Sequence, residues 1–168
     1  MKGLVKMDKF FKAFIMIFIL ILSVCCWFSG CKYGSIVSIG EQIAIYQNKG
    51  FVKIEDPQSP VMLNNIELKI NSKKQINDYF LINNIDCKID TLCLIYLPKN
   101  ANCISSLIYI YTFTDHKTAQ IFFSNFQPNF KNSMHLHNNY VIQKGISTHI
   151  SNGAENYKYF IDFCNGLK

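Results

Sequence analysis

The sequence predicts an α+β domain, a two-layer sandwich of a mostly antiparallel sheet with about four helices, and three observations lead there. Residues 91–97 (TLCLIYL) and 104–114 (ISSLIYIYTFT) are rich in β-branched and aromatic side chains on either side of a short polar loop, as in a central antiparallel pair. Four other segments carry apolar residues at helical spacing or open on a helix-capping signal. Helices interspersed with mostly antiparallel strands favour a sandwich over a parallel doubly wound sheet. At 168 residues, 49% hydrophobic and 17% charged, the chain has the material for one core, which excludes a disordered protein, a collagen-like fibre or a long coiled coil.

Along the chain, Ser38-Ile39-Gly40-Glu41 has the form of a capping box, and Ile39, Ile43 and Tyr46 follow at helical spacing before Gly50. Residues 51–54 suit a strand, and Asp56-Pro57-Gln58-Ser59-Pro60 breaks it. In residues 61–70, Asn64-Asn65 separates apolar runs, and Ile66, Leu68 and Ile70 alternate with Glu67 and Lys69, a strand or hairpin with one buried face. Ser72 and Gln75 form a second capping box and open a helix over 73–84. After the central pair, Ala119, Phe122, Phe123 and Phe126 line one side of a helix over 115–127 that Pro128 ends. Residues 140–150 suit two short strands around Lys144-Gly145. Asn152 caps the last helix, which is expected to bury Tyr157, Phe160, Ile161 and Cys164 and to stop at Gly166. The order within 91–168 suits a sandwich that is ferredoxin-like in part.

The N-terminus has a different character. Residues 1–30 hold Lys2, Lys6, Lys9 and Lys12 against Asp8 alone, and the 16 residues from Ala13 to Phe28 are uncharged. A basic start, an apolar run and then small residues is the layout of an export signal. As a helix that run spans roughly 24 Å, short of the roughly 30 Å hydrocarbon core that an anchor must cross. Phe28-Ser29-Gly30-Cys31 resembles the lipobox of bacterial lipoprotein precursors, with Phe28 where Leu is usual; Leu22-Ser23-Val24-Cys25 is a competing register. The resemblance implies removal of a signal helix, residues 1–30, by cleavage between Gly30 and Cys31. It also implies a diacylglyceryl group on the Cys31 sulfur, so that membrane lipid is the first partner. Residues 31–35 then form a short lipidated tether and 36–168 a single domain held close to the bilayer.

Beyond residue 30 the chain keeps 13 lysines and 10 acidic residues, scattered and without arginine. Clustered basic residues with interleaved aromatics are missing, so nucleic acid is not an expected partner. Catalytic motifs are missing too: no Gly-rich phosphate loop, His-Glu-x-x-His, Gly-x-Ser-x-Gly or Cys-x-x-Cys, and no cofactor is expected. His135 and His137 alternate along an extended segment and, with His149, are weak metal candidates. The flanking Asn132-Ser133 and Asn138-Asn139 favour a solvated loop instead. Cys87, Cys93, Cys103 and Cys164 remain outside the cytoplasm in an even number, which permits disulfides, Cys103 with Cys164 and Cys87 with Cys93 being the pairings considered. Buried free thiols are the other reading. The function expected is a non-enzymatic binding or interaction module at the cell envelope, possessing a protein partner there; the alternative is a small membrane-anchored enzyme with a site assembled from distant His and Cys residues.

Overall fold

Strands β4 (Thr91–Asn100) and β5 (Cys103–Thr112) are the centre of the computed structural model, which describes residues 37–63, 65–130 and 132–167. The signal helix, the cleavage site at Gly30 and the lipid site at Cys31 lie outside the described residues. β4 and β5 pair antiparallel, Cys93 opposite Ile110 and Ile95 opposite Ile108, and turn at Ala101 and Asn102. Pro98 sits at a register shift in this ladder, where a missing N–H disturbs the pairing least.

β1 (Val52–Glu55) joins the outer edge of β4, and a hairpin of β6 (Met134–His137) and β7 (Tyr140–Lys144) joins β5 through β7. The order is β1-β4-β5-β7-β6, with every neighbouring pair antiparallel. Asn138, at φ 51°, occupies the left-handed region that a tight hairpin turn needs. A second sheet is the hairpin of β2 (Val61–Leu63) and β3 (Ile66–Leu68).

Four helices complete the α+β class: α1 (Ile39–Asn48), α2 (Lys73–Ile82), α3 (His116–Phe126) and α4 (Gly153–Asn165). Both capping boxes close. Ser38 N–H donates to Glu41 Oε2 at 2.8 Å while Glu41 N–H donates to Ser38 Oγ, and Ser72 and Gln75 repeat the exchange at 2.9 and 3.4 Å.

Five consecutive residues of β4, from Leu92 to Tyr96, are buried, so both faces of the sheet are covered. On one face Cys93, Ile95, Ile108, Ile110 and Ile142 pack against Ile43 and Tyr46 of α1 and Phe160, Phe163 and Cys164 of α4. On the other, Leu92, Tyr111 and Val141 meet Phe80 of α2 and Ala119 and Phe122 of α3, and Leu94, Tyr96 and Leu107 meet the β2–β3 hairpin. The sheet is therefore the middle of three layers, where two were expected. The ferredoxin-like part is the path β5–α3–β6–β7: β5 and β6 run parallel with β7 inserted between them. Because α3 and α4 cover opposite faces, the likeness stops at connectivity.

Two further expectations are corrected, for the 140–150 strands and for the buried face of α4. Residues 134–144 form the hairpin, and only Tyr140–Lys144 of the 140–150 segment is a strand. The expected stripe of α3 holds: Ala119 and Phe122 are buried, and half-buried Phe123 and Phe126 pack against the same cluster. The inner face of α4 is Asn156, Phe160, Phe163 and Cys164, with Tyr157 exposed and Ile161 half-buried, so the helix is rotated toward a polar residue.

That residue, Asn156, closes a gap in the sheet. β7 leaves β5 after the bond from Gly145 N–H to Leu107 O at 2.7 Å, and the chain returns only where Ile104 N–H reaches His149 O. Between these points Asn156 Oδ1 accepts from Leu107 N–H and Ser106 Oγ, both at 3.1 Å, and its Nδ2 donates to Gly145 O at 2.9 Å. A Cβ on Gly145 would overlap the Leu107 side chain, so only glycine lets the chain turn away this close to β5. Asn156→Ala is expected to lower unfolding free energy by about 2–4 kcal/mol, since an unpaired buried polar group costs roughly 1–3 kcal/mol. Urea unfolding measures it, and a midpoint unchanged from wild type would mean that the gap is bridged some other way.

Candidate functional site

Two elements share the second face, the α2–α3 pair and the β2–β3 hairpin. Tyr109 lies at the margin of both the α2–α3 cluster and the β2–β3 cluster, and a cleft of about 610 Å³ opens there. Its floor is Tyr109 and Tyr111 of β5 and Gln143 of β7; Gln75, Ile76 and Tyr79 of α2 form one wall and Phe122, Phe126 and Phe130 the other. Lys69, Ile70, Asn71 and Ile146 complete the rim.

Sequence pattern explains why the floor is aromatic and polar. Tyr109 and Tyr111 alternate with Ile108 and Ile110, so the isoleucines face α1 and α4 and the tyrosines face the cleft. Tyr109 is the register partner of Gln143, and Tyr111 O–H donates to Gln143 Oε1 at 2.9 Å. The two tyrosine rings stack at 6.3 Å, and Phe122 stacks on Phe126 at 4.8 Å. Helix α2 is held in place from its first turns. Lys73 Nζ donates to Asp56 Oδ2 and Asp90 O, both at 3.0 Å, and the Asn77 amide exchanges two hydrogen bonds with Ile89.

The charge in the cleft is simple. Lys69 is the one charged side chain that lines it, and it makes no ion pair among the described residues. No His, Cys, Asp or Glu lines it. Burial pushes the Tyr109 hydroxyl up to about 12 and raises Tyr111 as well, with the neighbouring Tyr109 adding to the rise.

None of the His and Cys residues singled out from the sequence lines this cleft among the described residues. His135 and His137 lie half-buried on edge strand β6 instead of in a solvated loop, and His149 is in the segment that returns to Ile104. His137 Nε2 is 3.1 Å from Asn138 Nδ2, and His116 Nδ1 donates to Asn138 O at 2.6 Å. Among the described residues no three His, Cys, Asp or Glu are grouped to hold a metal ion.

The cysteines are dispersed. Cys87 belongs to the α2–α3 core and Cys93 to the α1–α4 core, so the sheet separates them. Cys103 begins β5 at the hairpin turn, whereas Cys164 is buried with Cys93, Ile108 and Ile110. Cys87, Cys93 and Cys103 are free thiols, and neither pairing considered above is present. Burial pushes the thiols of Cys87 and Cys93 up to about 11, away from nucleophilic thiolate at neutral pH.

Comparison with protein-family models, with characterised proteins and with solved structures finds no match for this chain. The site rests on its own geometry. The signal that could have located it was the Tyr-x-Tyr alternation of β5, which puts two amphipathic rings on one face of a buried strand.

Two outcomes follow from these environments. An unfolded tyrosine releases its proton near pH 10, whereas folded Tyr109 holds its proton to about 12. Below pH of about 10 both states are protonated and the full stability is present. Above it the unfolded chain releases protons that the folded chain keeps, and stability falls through pH of about 12. Urea titrations across that range should show the fall, and Tyr109→Phe should make it shallower; an identical profile would place Tyr109 in contact with bulk water. For the thiols, iodoacetamide should alkylate half-exposed Cys103 first and Cys87 and Cys93 only on unfolding. Peptide mapping reads the order, and rapid native labelling of Cys87 would contradict its burial.

Proposed function

We propose that the chain is a membrane-anchored lipoprotein facing outside the cytoplasm, and that its domain is a non-enzymatic binding module using the aromatic cleft. The carrying observation is the lining: aromatic rings, amide side chains and one lysine, with no His, Cys, Asp or Glu. General acid–base and nucleophilic catalysis draw mostly on those absent residue types, with working pKa values near neutrality. Tyr109 and Tyr111 are shifted away from that range. A concave site with aromatic walls and a few polar groups is a common form of small-ligand pocket, and about 610 Å³ falls inside the usual range of roughly 300–1,000 Å³.

Anchoring is supported by Phe28-Ser29-Gly30-Cys31 after the basic and apolar N-terminal residues. No helix among the described residues is long and apolar enough to cross a membrane. With diacylglyceryl supplying two chains, attachment would be stable where one chain is marginal. Cys31→Ala should abolish incorporation of labelled fatty acid and shift the protein out of the membrane fraction as an unprocessed or released form, and Cys25→Ala should leave both unchanged. Labelling that survives in Cys31→Ala and is lost in Cys25→Ala would move the anchor to the earlier cysteine.

A further inference from the structure

Two of the amide side chains that line the cleft, Gln75 and Gln143, are turned by their own hydrogen bonds. Gln143 Oε1 is occupied by the Tyr111 hydroxyl and Gln75 Oε1 by Ser72 N–H in the capping box, so each amide has its acceptor engaged and its NH2 left over. Neither NH2 group has a hydrogen-bond partner among the described residues, and neither does the Tyr109 hydroxyl or the Lys69 ammonium. The unspent hydrogen-bonding capacity of the cleft is therefore mostly donor, with one full positive charge and no carboxylate to oppose it. Beside these donors lie the faces and edges of Tyr109, Phe122 and Phe126, which can bury a flat or apolar body but offer it no polar contact.

We infer that the cleft binds an amphipathic anion, with its apolar or aromatic body against Tyr109, Phe122 and Phe126 and its carboxylate or phosphate on Lys69, Gln75 and Gln143. The inference rests on the binding-module reading and adds the ligand class. A cation is disfavoured by Lys69 and finds no carboxylate. A neutral apolar molecule would leave Lys69 and the two amide donors without new partners, whereas an anionic acceptor engages them in charge-assisted bonds, which are about twice as strong as neutral ones.

The test uses the full chain in phosphatidylcholine nanodiscs, with 2-naphthoate as the anionic probe and 2-naphthamide as its uncharged counterpart. Equilibrium dialysis is read against empty nanodiscs. Saturable one-to-one binding of naphthoate is expected, tighter than naphthamide. Lys69→Gln should weaken naphthoate about tenfold, as expected for loss of a hydrogen bond to a charged group, and leave naphthamide unchanged. Ile146 lines the cleft and is 71% exposed, so Ile146→Trp should narrow the mouth without disturbing the core and reduce binding of both probes. Equal binding of the two probes, insensitive to Lys69→Gln but lost in Ile146→Trp, would overturn the anion inference and keep the binding cleft. No saturable binding of either probe, or binding untouched by Ile146→Trp, would overturn the inference together with the cleft reading on which it rests.

Discussion

β4 and β5 carry side chains that are buried on both faces of the sheet, and the other elements are placed by the need to cover them. Leu92, Leu94 and Tyr96 face one way and Cys93 and Ile95 the other, so helices or hairpins must lie on each side. Hydrophobic burial fixes where those elements sit, but the backbone groups of β5 add a second demand. A central strand needs partners along both edges, and β7 supplies them only as far as Gly145. Asn156, projected from α4, takes over for Ser106 and Leu107. One side chain thus ties the position of α4 to the place where β7 is allowed to leave.

The cleft is a by-product of the same covering problem. The second face is shared between two unrelated elements, a helix pair and a β-hairpin, and half-buried Tyr109 with buried Tyr111 forms the floor of the cleft beside them. Tyrosine suits that position because its ring can be buried while its hydroxyl reaches a polar partner or the open space. The result is a concave surface with apolar walls and polar atoms at its floor and rim. Reactive side chains lie elsewhere: His135 and His137 are on an edge strand, His149 is in a loop, His116 begins α3, and the thiols of Cys87 and Cys93 are buried within separate cores.

Local signals in the chain determined the helix starts and the central strand pair. Ser38 with Glu41, Ser72 with Gln75, Asp115 and Asn152 cap the four helices because each bonds to backbone N–H groups within three residues of itself. The β-branched and aromatic runs of β4 and β5 likewise follow from short-range pattern. The face that α4 buries, the β6 strand and the layer count were decided at longer range. Asn156 reads as a surface residue until Ser106, some fifty residues away, is placed beside it. His135 and His137 sit among turn-forming asparagines, yet β7 captures them as an edge strand. A run buried on both faces does not by itself say how many layers cover it, and the cleft is lined by residues from α2, β5, α3 and β7 that only the closed fold brings together. Chain pattern encodes hydrogen bonds and periodicities a few residues long; the gap between distant elements, where binding chemistry collects, is set only when the layers close.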